Sequence, residues 1–125
     1  MKIGFIGLGN VGGKLANNLF ENNFQISVLD KNIKLMDEFK LRGAKTAKSI
    51  KDLVINSDIL ITCLPSPDVC AEVLESKGGI IDTIKKDQIW IEMSTTENDQ
   101  LKKHASLIQQ KKAIALEAPV SGGCH

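Results

Sequence analysis

Three glycines near the amino terminus, within Gly7-Leu8-Gly9-Asn10-Val11-Gly12, follow the G-x-G-x-x-G spacing directly after the apolar run Lys2 to Ile6. That spacing suits one task, the cradling of a pyrophosphate. Gly7 allows a tight strand-to-helix turn, and Gly9 lets backbone approach a phosphate with no Cβ in the way. Gly12 lets the following helix pack closely on its strand. The free N–H groups and positive dipole end of that helix then face the phosphates. The three glycines alone are weak evidence. A strand before them and a helix after them make a dinucleotide-binding fingerprint. Asp30 lies 18 residues after Gly12, where such a domain places the acid that accepts hydrogen bonds from the adenosine ribose. A carboxylate there favours NAD and repels the 2′-phosphate of NADP. Lys31 beside it works the other way, because a cation accommodates a phosphate. NAD is expected, with NADP the lesser alternative.

The elements that must hold these residues are legible as apolar runs alternating with helical patterns. After Lys2 to Ile6, a helix runs from Gly9 to about Phe20, with Val11, Leu15, Ala16, Leu19 and Phe20 on one face. Gln25 to Leu29 is a strand that delivers Asp30. A helix over Ile33 to Leu41, a short strand within Ala44 to Ala47 and a helix capped by Ser49 come next. Ile59 to Cys63 is a strand, stopped by Pro65-Ser-Pro67, and Pro67 suits the first turn of a helix over Asp68 to Leu74. Ile80-Ile81 reads as one helical turn and Gln88 to Met93 as a strand. Ser94-Thr95-Thr96 offers cap hydroxyls to the next helix, with Asp99 completing a capping box. That helix ends near Lys111-Lys112, before a last strand over Ala113 to Leu116. Strands alternating with helices predict an α/β fold of the Rossmann type. The expectation is one domain over residues 1–125, a doubly wound parallel sheet of about six strands with helices on both faces.

Composition narrows the function classes. The 125 residues suffice for one core and carry a formal charge of +1, from 16 basic and 15 acidic side chains. That balance provides no field to attract nucleic acid or an anionic membrane, so neither is expected as a partner. Cys63, Cys70 and Cys124 are odd in number and lack a CxxC spacing, which argues against a disulfide framework and against a metal site. A reducing compartment is implied, and a strand opening at residue 2 leaves no room for a targeting segment. The expected location is cytoplasmic. His104 lies in a stretch rich in Lys and Gln and reads as solvent-facing. Trp90 reads as core or sheet surface, Cys63 as a small buried hydrophobe and His125 as disordered.

Four blocks in order resemble the β-hydroxyacid dehydrogenase family, which includes 3-hydroxyisobutyrate dehydrogenase. Phe5 to Leu19 is similar to its amino-terminal signature, with Val11 and Leu15 where the family often has Met. Ile61-Thr-Cys-Leu-Pro65 is similar to its fourth-strand end, and Glu92-Met-Ser-Thr95 to its Ser-Thr element near the nicotinamide ribose. Glu117-Ala-Pro-Val-Ser-Gly-Gly123 is similar to its substrate-binding block. The resemblance implies cofactor contacts at Gly7, Leu8, Gly9, Asn10, Val11, Gly12, Asp30, Lys31, Leu64, Pro65 and Thr95. It assigns Ser121, Gly122 and Gly123 to the carboxylate of a small β-hydroxyacid. A hydroxyl and glycine N–H groups beyond a strand end are able to form such an anion site.

Family members continue past this block into a long helix with a catalytic lysine and then an all-helical domain. No residue here matches that lysine, and Lys111 and Lys112 precede the last strand, so no catalytic residue is assigned. The implied function is the NAD-binding part of an oxidoreductase that moves hydride between nicotinamide and a β-hydroxyacid. The chain alone is expected to bind cofactor without turnover, and any homo-oligomer is expected to form mainly through the further domain. Two alternatives stand beside it. One is an NADPH-dependent reductase of small aldehydes such as succinic semialdehyde or glyoxylate. The other is a free-standing, non-catalytic nucleotide-binding module.

Overall fold

The computed structural model describes residues 1–94 and 97–118. Thr95, Thr96 and residues 119–125 lie outside the described residues, and with them the expectations for Thr95, Ser121, Gly122, Gly123 and His125. Lys2–Ile6 (β1), Gln25–Leu29 (β2), Lys45–Thr46 (β3), Ile59–Thr62 (β4), Ile89–Glu92 (β5) and Ile114–Glu117 (β6) are the strands. They pair in parallel throughout, in the order β3-β2-β1-β4-β5-β6. Parallel pairing demands crossovers. Asn10–Glu21 (α1), Ile33–Leu41 (α2), Ile50–Ile55 (α3), Pro67–Glu75 (α4), Ile80–Thr83 (α5) and Asn98–Gln110 (α6) supply them.

Strands buried on both faces need two cores, and the side chains divide accordingly. Phe5, Ile26, Val28 and Ile61 pack with Ala16 of α1 and Phe39 of α2 on one face. Ile6, Leu60 and Trp90 pack with Leu53, Val54, Val73, Leu74, Ile80 and Ile108, from α3 to α6, on the other. Trp90 is wholly buried there. Alternation along β1 therefore sends Phe5 and Ile6 to opposite layers. The doubly wound architecture expected from the sequence is present, with β3 reduced to two residues. The chain reverses its winding direction between β1 and β4. A crevice opens at that switch point, beyond the carboxyl ends of these strands.

One local expectation needs correction. His104 is 1% exposed, not solvent-facing. It shares the inward stripe of α6 with Leu101 and Ile108, three and four residues away, and its ring meets Trp90 edge-on at 6.5 Å. The expected capping box rests on Thr96, which lies outside the described residues. Helix α6 begins at Asn98 behind Glu97, with no side-chain cap. The Ser94 hydroxyl is engaged elsewhere, by the backbone N–H of Leu64 at 2.6 Å.

Candidate nucleotide-binding cleft

The crevice at the switch point is a cavity of about 860 Å³ lined by Gly7, Gly9, Asn10, Val11, Gly12, Asp30, Lys31, Leu64, Pro65 and Glu72, among others. Nine of the cofactor residues expected from the sequence, Gly7, Gly9, Asn10, Val11, Gly12, Asp30, Lys31, Leu64 and Pro65, thus share one wall or another of a single space. Leu8 is buried beneath the turn, where it joins the core around Phe5 and Ala16.

Each glycine has a distinct cause. Gly7 has φ +104°, and a Cβ on it would run into the Cys63 carbonyl, so the turn is reserved for glycine by both backbone and space. A Cβ on Gly12 would collide with the Gly7 carbonyl, which is how α1 comes to lie against the turn. Gly9 differs. It has φ −66° and ψ −165°, and a Cβ there would meet nothing within 4 Å among the described residues. Nothing among the described residues requires glycine at this position. The open space belongs to the cleft and to whatever occupies it. Gly9 is also the N-cap of α1 and makes no side-chain cap, so first-turn N–H groups are left for an anion.

Asp30 sits at the carboxyl end of β2 and is tied into the same turn. Its Oδ2 accepts from Leu8 N at 2.7 Å, and its Oδ1 from Asn32 N at 2.7 Å. Each carboxylate oxygen keeps a further lone-pair site for another donor. Lys31 reaches across the cleft to Glu72 of α4, with Nζ and Oε1 3.0 Å apart. On the far wall, Leu64 and Pro65 follow β4, and the N–H of Leu64 is fixed by Ser94.

A buried polar cluster behind Leu64 was not anticipated. Trp90 Nε1 donates to Thr62 Oγ1 at 3.0 Å, and the Thr62 hydroxyl donates to Glu92 Oε1 at 3.0 Å. The backbone N–H of Ser94 donates to the same oxygen at 2.9 Å. Glu92 is 1% exposed, and its Oε2 has no hydrogen-bond partner among the described residues. Burial holds its carboxyl above the usual range, against the hydrogen bonds from Ser94 and Thr62 that favour the anion. Burial, with the Glu92 charge nearby, pushes the Cys70 thiol up to about 11, which makes it a poor nucleophile. Further out, Glu75 accepts from His104 Nε2 at 2.7 Å and from Lys103 at 3.1 Å, and these bonds lower its pKa. The signal for Glu92 lay in the alternation of β5, since residues two apart share a face and Trp90 is core.

The sequence pattern of the NAD binding domain of 6-phosphogluconate dehydrogenase matches residues 2–125. The 3-hydroxyisobutyrate dehydrogenase of Rattus norvegicus mitochondria is 36% identical over 121 residues, which is 97% of this chain and 36% of that protein. The chain thus spans little more than a third of the length of such relatives. Among solved structures, 3-hydroxyisobutyrate dehydrogenase from Mycobacterium tuberculosis, with L-serine, superposes with a TM-score of 0.87 at 24% identity. The match covers 98% of this chain and 41% of that one. Psf3 in complex with NADP+ and 2-OPP superposes with a TM-score of 0.92 at 24% identity, over 98% and 43% of the two chains. These two likenesses speak for the fold. The resemblance to 3-hydroxyisobutyrate dehydrogenase read from four sequence blocks is borne out by the rat relative.

Proposed function

Because the chain belongs to the family of the NAD binding domain of 6-phosphogluconate dehydrogenase, we propose that residues 1–125 are the dinucleotide-binding domain of an NAD-dependent, 3-hydroxyisobutyrate dehydrogenase-like oxidoreductase. The observation that carries this reading is the open cradle at Gly9, where a Cβ would fill space that no described residue uses. The residues present fit a dinucleotide. N–H groups at the start of α1 face the pyrophosphate, Asp30 accepts from the adenosine ribose, and Leu64-Pro65 forms an apolar edge to the nicotinamide half. Bound NAD supplies a hydride acceptor at the nicotinamide ring. The chain's own part is to hold and orient that ring and to exclude water from one side of it.

The substrate is a small β-hydroxyacid whose carboxylate is held by Ser121, Gly122 and Gly123, and Thr95 contacts the nicotinamide ribose. Both assignments rest on the resemblance of those blocks alone. Proton transfer at the hydroxyl falls to a lysine outside these residues, so this chain binds cofactor without turnover. A general acid–base group of that kind contributes roughly 10²–10⁴-fold. No helix among the described residues is long and apolar enough to cross a membrane, and the cysteine usage favours a reducing, cytoplasmic setting. Lys31 supports a second reading, an NADPH-dependent reductase of small aldehydes within the same family. Calorimetric titration of the chain with NAD and NADP tests the proposal. Saturable NAD binding, tighter than NADP, is expected. A folded chain that binds neither would refute it.

A further inference from the structure

Among the described residues, the charged ones lining the cleft are Asp30, Lys31 and Glu72, and they do not act independently. Asp30 is held by two backbone N–H groups at the end of β2. Lys31, the next residue, is the cation placed to meet a 2′-phosphate. Its ammonium instead lies 3.0 Å from the Glu72 carboxylate on α4, across the cavity. Resting on the NAD-binding reading above, we propose that Glu72 is a specificity-determining residue. It holds Lys31 on the α4 side of the cleft and so makes the ribose end select against a 2′-phosphate.

The electrostatics run in one direction. With Lys31 paired to Glu72, the lining carries one net negative charge, that of Asp30, and offers a phosphate dianion no free cation among these three groups. For NADP to gain Lys31, the ammonium must leave Glu72, whose carboxylate is then unpaired beside the incoming phosphate. NAD, with a hydroxyl at that position, asks for neither change. The pair is exposed, with side-chain exposures of 77% for Lys31 and 56% for Glu72. Its effect is therefore modest and sensitive to salt, up to about fivefold in affinity at low ionic strength. The same exposure means that substitution at either position leaves the folded core untouched.

The experiment is calorimetric titration of the full chain with NAD and NADP at low and high salt. The variants are Glu72→Gln, Lys31→Met and the double substitution. The NADP to NAD ratio of dissociation constants is expected to fall about fivefold in Glu72→Gln at low salt and less than twofold at high salt. In the Lys31→Met background, Glu72→Gln is expected to move the ratio less than twofold. A ratio unmoved by Glu72→Gln, or one that moves equally without Lys31, overturns the proposal while NAD binding itself stands. A wild type that already prefers NADP also overturns it. Binding of neither nucleotide by the wild type instead removes the dinucleotide reading on which it rests.

Discussion

The carboxylate of Asp30 accepts a 2.7 Å hydrogen bond from the backbone N–H of Leu8, in the middle of the glycine turn. The residue expected to read the ribose is thus also a strut of the turn proposed to receive the pyrophosphate. Asp30→Ala should therefore cost stability without any cofactor present, by about 1–3 kcal/mol. For a domain of this size that is roughly 3–6 °C in Tm per kcal/mol. Thermal melts of the two cofactor-free proteins check this. An unchanged Tm with weakened NAD binding would leave Asp30 a ribose contact only.

Gly9 and Gly12 should separate binding from folding. Gly9→Ala adds a methyl group to open cleft and is expected to keep the wild-type stability within about 0.5 kcal/mol. It should weaken NAD at least about tenfold, because the backbone can no longer approach the pyrophosphate. Gly12→Ala drives a methyl group into the Gly7 carbonyl and should destabilise by about 1–3 kcal/mol. Melting and titration of the pair read both effects.

Ser94→Ala should leave the Leu64 N–H without its 2.6 Å acceptor in a part-buried place. A cost of about 1–3 kcal/mol is expected. NAD affinity should fall as well, since Leu64 and Pro65 form the cleft's far wall, whereas a purely structural Ser94 would change Tm alone.

Glu92 makes stability depend on pH. Its folded pKa is raised by burial, so the contribution of the neutral carboxyl is fully present below the unfolded value of 4.5. That contribution is lost as pH rises through the folded pKa. Relative to wild type, Glu92→Gln should therefore gain stability as pH rises above 4.5, since an amide does not ionise. Melting curves of both proteins across that range check the sign. A difference independent of pH would contradict it.

Much of this organisation was legible in the residues. Helix α2 spans Ile33–Leu41 as its pattern implied, and Ser49 caps α3 through a hydrogen bond from Asp52 N. Both depend on spacing within one segment. The glycine spacing likewise marked the cleft, because a turn between strand and helix is local. His104 was misread because Lys102 and Lys103 colour its surroundings polar, although Leu101 and Ile108 at helical spacing put it on the buried stripe. The Asp30–Leu8 bond and the Lys31–Glu72 bridge join residues 22 and 41 positions apart. Such contacts follow from how the sheet twists and where α4 lands, and no local pattern encodes them.

The central claim is that the glycine turn and the Asp30 corner are one nucleotide site. The most direct measurement is the backbone amide NMR spectrum of the 125-residue chain titrated with NAD. Saturable shifts are predicted for Gly7 through Gly12, Asp30 to Asn32 and Leu64, with the β3 edge unmoved. Shifts scattered elsewhere, or none in a folded protein, would contradict the account.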